Sequence, residues 1–205
     1  MRAHRIVAGP IKFFCNVKVK GLENIPKEGG AIICANHIAV RDVLLIGASC
    51  PRQIKFVAKK ELFSIPIVGS IMRSFGAVKL DRGGNDVGAI RKSIELVENG
   101  DLICIFPQGH RFPGVDPAKT PIKNGAGLIA YRAKSDVIPV CIKTKKNKYA
   151  PFRTVVIEFG KTIPYKDLGF QCGGNDEYLK ATSLIFDRIV SMGDFSSLPA
   201  PNENN

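Results

Sequence analysis

Apolar residues along this chain gather in short unbroken runs, separated by stretches whose apolar positions recur every three to four residues. Runs of strand length lie at 15–20, 31–35, 54–58, 77–80, 102–106, 137–143 and 154–159. Several are continuous rather than alternating, the pattern of strands covered on both faces. Asn85 or Asp86 caps a helix whose face carries Val87, Ile90, Ile94 and Val97, and Gly100 ends it. Asp176 opens another helix, with Leu179, Ser183, Phe186 and Val190 along one stripe. Two further helices are expected over 123–133 and 42–49. The tetrapeptide Gly-Gly-Asn-Asp precedes both of the first two helices, as one capping chemistry used twice and not as an internal repeat. Strands alternating with helices predict a single α/β domain over residues 15–197. Its central sheet is expected to be mostly parallel or mixed, with about seven strands flanked by helices.

The flanks read differently. Residues 1–14 mix Arg2, Arg5 and Lys12 with Ile6, Val7, Ile11, Phe13 and Phe14. That mixture fits either an interfacial N-terminal segment or a loose start to the first strand. Residues 198–205 are rich in Pro and Asn and read as a frayed tail.

The 205 residues include 45% hydrophobic and 23% charged positions, which excludes a disordered or fibrous chain. Net charge is +12, so a polyanionic partner is expected: nucleic acid, an anionic lipid surface or an acidic carrier protein. The six cysteines, Cys15, Cys34, Cys50, Cys104, Cys141 and Cys172, are not at metal-ligand spacing. Cys34, Cys104 and Cys141 sit inside apolar runs, which fits a reducing cytoplasm better than a disulfide framework. No run approaches the ~20 apolar residues that a membrane span needs. The basic run Lys143–Lys148 with Tyr149 and Phe152 could serve a nucleic-acid-binding module, but no nucleic-acid motif accompanies it. A solvated loop between two strands is the favoured reading of that run.

Three polar clusters follow three buried strands. Asn36-His37-Ile38-Ala39-Val40-Arg41-Asp42 follows the run at 31–35. A His at a strand's C-terminal end lies where open α/β sheets bind ligands. A tight turn can return Asp42 to the imidazole, making a general base. Gly76-Ala77-Val78-Lys79-Leu80-Asp81-Arg82 ends a strand beside a helix start, a place for Arg82 to hold a phosphate. Phe106-Pro107-Gln108-Gly109-His110-Arg111 supplies a glycine for close approach and a second anion contact in Arg111.

These blocks, with Val137-Ile138-Pro139-Val140 after them, resemble in order those of the 1-acylglycerol-3-phosphate acyltransferase family of glycerophospholipid synthesis. The similarity extends to Val19–Pro26 and Ala58–Pro66 and covers nearly the whole chain. It implies that His37 and Asp42 are catalytic and that Asn36, Gly76, Asp81, Arg82, Gln108, Gly109, His110, Arg111 and Pro139 bind substrate. It implies transfer of a fatty acyl group from acyl-coenzyme A or acyl carrier protein to the sn-2 hydroxyl of lysophosphatidic acid. Neither metal nor cofactor is expected, and no acyl-enzyme. Backbone N–H groups near Gly109 or beside Pro139 are candidates for the oxyanion donors, which the sequence does not name. The protein is expected in the cytoplasm, peripheral on an anionic membrane surface, without nucleic acid as partner. The chain departs from the family pattern at Gln108, where Glu is usual, at His110, where Thr is usual, and at Ala39, often Ser. The neutral Gln108 is expected to leave Arg111 freer for a phosphate, and a Glu there to be tolerated and to alter acceptor preference.

Overall fold

The structure is a computed structural model that describes residues 16–59, 77–80, 87–151 and 153–201, with only Ser64, Gly69, Ser70 and Arg73 between 60 and 76. The N-terminal segment, Cys15, Gly76, Asp81, Arg82 and the cap at Asn85 or Asp86 lie outside the described residues.

The chain runs β1 (Val17–Lys20), β2 (Ala31–Ala35), α1 (Arg41–Ser49), β3 (Ile54–Lys55), β4 (Val57–Lys59), β5 (Val78–Leu80), α2 (Val87–Glu98), β6 (Leu102–Ile105), α3 (Gly125–Ala133), β7 (Val137–Thr144), β8 (Val155–Phe159) and α4 (Asn175–Ser191). Six strands form one sheet in the order β1-β8-β7-β2-β6-β3. β7, β2, β6 and β3 are parallel, β8 is antiparallel to β7, and β1 is parallel to β8. The expected sheet of about seven strands is therefore corrected to six. The run expected as one strand over 54–58 is divided at Phe56, which is buried outside either strand. Its first part pairs with β6, while Val57–Lys59 pairs with β5 in a separate two-stranded sheet.

The sheet's centre is covered on both sides, as the continuous apolar runs require. On β2, Ile33 and Ala35 join a cluster with α1 residues Leu45 and Ile46. Ile32 and Cys34 face the opposite cluster, built with Leu96 of α2, Ile129 of α3 and Ile185 of α4. Burying each such Ile or Leu contributes about 1.5–3 kcal/mol. Edge strand β1 instead alternates between half-buried and exposed positions.

Helix α4 presents a different stripe from the expected one. Ala181, Thr182, Ile185, Phe186 and Ile189 are buried, whereas Leu179 is exposed. Close contact with α3 sets this rotation. A Cβ on Gly127 would lie 2.1 Å from the carbonyl oxygen of Tyr178, and the Gly127 N–H donates to Thr182 Oγ1 at 2.9 Å. Small residues thus decide which face turns inward, and a search for large apolar ones misses it.

Residues 198–201 are docked, in contrast to the frayed tail expected from their composition. Leu198 packs against the α2–α4 cluster, and the Pro199 carbonyl accepts from the Asp116 N–H at 2.9 Å.

Candidate active site

β2 lies between β6 and β7, so the segments leaving β2 and β6 meet on one rim of the sheet. Asn36 comes first. Its amide nitrogen donates to the Ile142 carbonyl at 3.0 Å and its oxygen accepts from the Ile142 N–H at 2.7 Å. Both polar ends are thus spent tying the end of β2 to β7, and the residue is buried. Asn36 positions the next turn instead of lining a cleft.

That turn brings Asp42 back onto His37. His37 Nδ1 lies 2.7 Å from Asp42 Oδ2. The same oxygen accepts from the N–H of Ile38 at 2.6 Å and of Ala39 at 2.8 Å. The other, Oδ1, accepts from the Tyr149 hydroxyl at 2.5 Å. Four donors thus satisfy a carboxylate with no solvent exposure, as a buried charge requires. The acceptor at Asp42 places the proton of a neutral imidazole on Nδ1 and leaves Nε2 as the basic nitrogen. The His37 ring also stacks on Phe106, with centroids 3.9 Å apart and planes 16° from parallel. Its side chain is 15% exposed.

The block after β6 wraps over this pair. Gly109 has φ +69°, and its N–H donates to the Phe106 carbonyl at 3.0 Å. A Cβ there would crowd the Lys123 stem at 3.0 Å, so glycine suits both the backbone and its neighbour. The Phe112 N–H then donates to the His37 carbonyl at 2.9 Å. Gln108 lies beneath this loop, 2% exposed. Its oxygen accepts from the His37 N–H at 2.7 Å and its nitrogen donates to Thr120 Oγ1 at 2.7 Å. Thr120 in turn donates to the Pro117 carbonyl at 2.7 Å. Gln108 is therefore a buried strut with both ends occupied.

Above His37 opens a cleft of about 1540 Å³. Ala39, Arg41, Gly109, His110, Arg111 and Tyr149 line it, with Lys119, Lys148 and the docked Ala200 and Pro201 on its sides. The Arg41 guanidinium lies over the Tyr149 ring, 4.7 Å from its centroid. Lys119 is 3.6 Å from Asp116 and contacts the Leu198 carbonyl. No carboxylate among the described residues lines the cleft, so it favours an anion. Of the residues singled out from sequence, His37, Gly109, His110 and Arg111 reach it. Asn36, Gln108 and Asp42 support it from below, and Pro139 is buried within β7 beside Cys34 and Gly160. Sequence reasoning missed Arg41, Phe106, Thr120, Lys119 and Lys148 as parts of the site, and placed Tyr149 only in the basic run. Lys143 of that run is held by Glu158 and the Met192 carbonyl, which ties it to the body of the protein.

Burial pushes the Cys141 thiol up to about 12 and those of Cys34 and Cys104 well above their ordinary value. These thiols stay protonated at neutral pH and are poor nucleophiles.

Residues 16–143 match the sequence model of the Acyltransferase family. A 1-acyl-sn-glycerol-3-phosphate acyltransferase of Borreliella burgdorferi is 30% identical over 181 residues, covering 84% of this chain and 69% of that protein. One of Bacillus subtilis is 35% identical over 124 residues, 60% of each chain. The chain therefore spans about 60% or less of the length of several relatives, including plant and yeast proteins. The crystal structure of the PlsC acyltransferase from Thermotoga maritima superimposes with a TM-score of 0.68 at 28% identity, covering 93% of this chain and 81% of that one. The sequence match, the shared fold and the His–Asp pair at the end of the central strand agree: the chain belongs to the Acyltransferase family.

Proposed function

We propose that the protein transfers a fatty acyl group from a thioester, acyl-coenzyme A or acyl carrier protein, to the sn-2 hydroxyl of 1-acylglycerol-3-phosphate, giving phosphatidic acid. The observation that carries this reading is the His37–Asp42 pair set in the wall of a cationic cleft. The names of the relatives point to the same acceptor.

The acceptor phosphate lies against Arg111, with its hydroxyl on His37 Nε2. As the hydroxyl oxygen attacks the thioester carbonyl carbon, Nε2 takes its proton, and Asp42 stabilises the imidazolium. General-base help of this kind contributes about 10²–10⁴-fold. The tetrahedral oxyanion needs N–H donors. The Gly109 N–H is bonded to Phe106, which leaves the neighbouring N–H groups of His110 and Arg111, both at the cleft, as the donors we propose. Collapse breaks the C–S bond, and the imidazolium returns the proton to the departing thiolate. The reaction so written needs no metal, cofactor or acyl-enzyme.

Such an acceptor resides in a membrane. Among the described residues no helix is long and apolar enough to cross one. We propose peripheral binding to the inner face of the cell membrane, driven by the net charge of +12. Co-sedimentation with anionic vesicles should weaken as salt rises, and indifference to such vesicles at low salt would remove this part of the reading.

The decisive assay offers purified protein both thioester donors and a panel of lysolipids. Acylation of lysophosphatidic acid, lost in His37→Ala, is expected. Preference for a lysolipid with a neutral headgroup would overturn the acceptor assignment, and near-normal turnover by His37→Ala would overturn the mechanism.

A further inference from the structure

We propose that Tyr149 is a positioning residue for the general base, acting through Asp42. It arises in the connection between β7 and β8, beyond the residues 16–143 that match the family. It reaches Asp42 across 107 positions of sequence.

The two carboxylate oxygens are held differently. Oδ2 takes its three donors from the turn itself: His37 Nδ1 and the N–H groups of Ile38 and Ala39. Oδ1 takes the Tyr149 hydroxyl, at 2.5 Å. The turn can therefore close without Tyr149, but the carboxylate would remain free to pivot about Oδ2. The hydroxyl stops that pivot and keeps Oδ2 directed at the imidazole.

Tyr149 can do this because its ring is fixed on two sides. It packs against the apolar cluster beneath α1, and the Arg41 guanidinium covers it from the cleft. The contact with Arg41 is a cation–π pair, and Arg41 is itself a cleft residue. Ring and hydroxyl thus have separable tasks, packing for one and orientation of the carboxylate for the other.

Tyr149→Phe keeps the ring and removes only the hydroxyl, so the variant is expected to fold. A bond to a charged group is worth about 1.5–3 kcal/mol, so kcat should fall about 10-fold or more, with the Michaelis constants of acceptor and donor unchanged. In an Asp42→Asn background the same change should cost only about twofold, because the two residues act as one unit. A loss of thermal stability with unchanged kcat, or an equal loss in both backgrounds, would overturn the proposal. The kinetic arm rests on the acyl-transfer reading; a second arm does not. The His37 Nδ1–H proton resonance should move on Tyr149→Phe, whatever the protein acylates. An unmoved resonance would overturn the positioning role even if the acyl-transfer reading itself had failed.

Discussion

Asp42→Asn separates two ways in which a carboxylate serves a histidine. An amide has one oxygen and one nitrogen to place where the carboxylate had two oxygens. At the Oδ2 position three donors converge: His37 Nδ1, the Ile38 N–H and the Ala39 N–H. An NH₂ group there would confront all three and leave them unpaired in a site without solvent, at about 1–3 kcal/mol each. The amide oxygen is therefore forced into that position. Its nitrogen falls opposite Tyr149, whose hydroxyl turns to accept. The imidazole keeps its proton on Nδ1 and the tautomer survives. What disappears is the charge. A hydrogen bond to an ion is worth about 1.5–3 kcal/mol and one between neutral groups about 0.5–1.5, a difference of roughly 1–1.5 kcal/mol. That corresponds to about a 5–15-fold loss in kcat. Where an equivalent substitution in a Ser-His-Asp triad imposes the wrong tautomer, the loss is about 10⁴-fold. The measurement is the initial rate of thiol release, with phosphatidic acid followed by mass spectrometry, for wild type, Asp42→Asn and Asp42→Ala. A loss of 10³-fold or more in the Asn variant, or one equal to that of Ala, would refute the claim that the two backbone donors orient the amide.

Three other outcomes are expected. Gln108→Glu should destabilise the protein with little change in acceptor preference, because Thr120 must turn its hydroxyl toward the carboxylate and abandon the Pro117 carbonyl, at about 1–3 kcal/mol. Thermal melts and the lysolipid panel check it, and an unchanged melting temperature with a shifted acceptor profile would restore Gln108 to a substrate contact. Iodoacetamide at neutral pH should label exposed Cys172 in the native protein while buried Cys34 and Cys141 react only after unfolding; peptide mass spectrometry showing native Cys34 labelled as fast as Cys172 would contradict its burial. Glu177 accepts from the N–H groups of Gln171, Cys172 and Gly173, which hold its carboxyl below the ordinary value. Its folded value is depressed, so its contribution is present above the unfolded value and is lost as pH falls through the folded one; the melting temperature of Glu177→Gln should trail wild type at neutral pH and converge with it as pH falls below the ordinary carboxylate range, and a gap independent of pH would exclude the carboxylate as its source.

Local pattern carried much of this molecule. Helix periodicity located α1 to α4, and continuous apolar runs located the strands that are buried on both faces. The His37–Asp42 contact was legible because five positions of sequence and one turn contain it. Other features had no local signature. Asn36 resembles a polar ligand until Ile142, far along the chain, occupies both ends of its amide. Gln108 looks like a missing charge until Thr120 and the His37 backbone are seen to need one donor and one acceptor. Pro139 falls in a matching block, yet its neighbours are strands and not the cleft. Tyr149 sat beside lysines, and that basic setting masked an aromatic hydroxyl directed inward. The division at Phe56 depends on which of two sheets each half joins, and pairing partners are not written in the run itself.

The placing of β2 at the centre of the sheet also bears on how the protein folds. His37 is close in sequence to its carboxylate, but the strand that presents it pairs with β6 and β7, both far along the chain. Bringing those segments together means closing long loops before the parallel ladder stabilises anything. Refolding should therefore be slow for a domain of this size. Enzymatic competence should return with the last, global phase of recovery, after most of the helical circular dichroism has already come back.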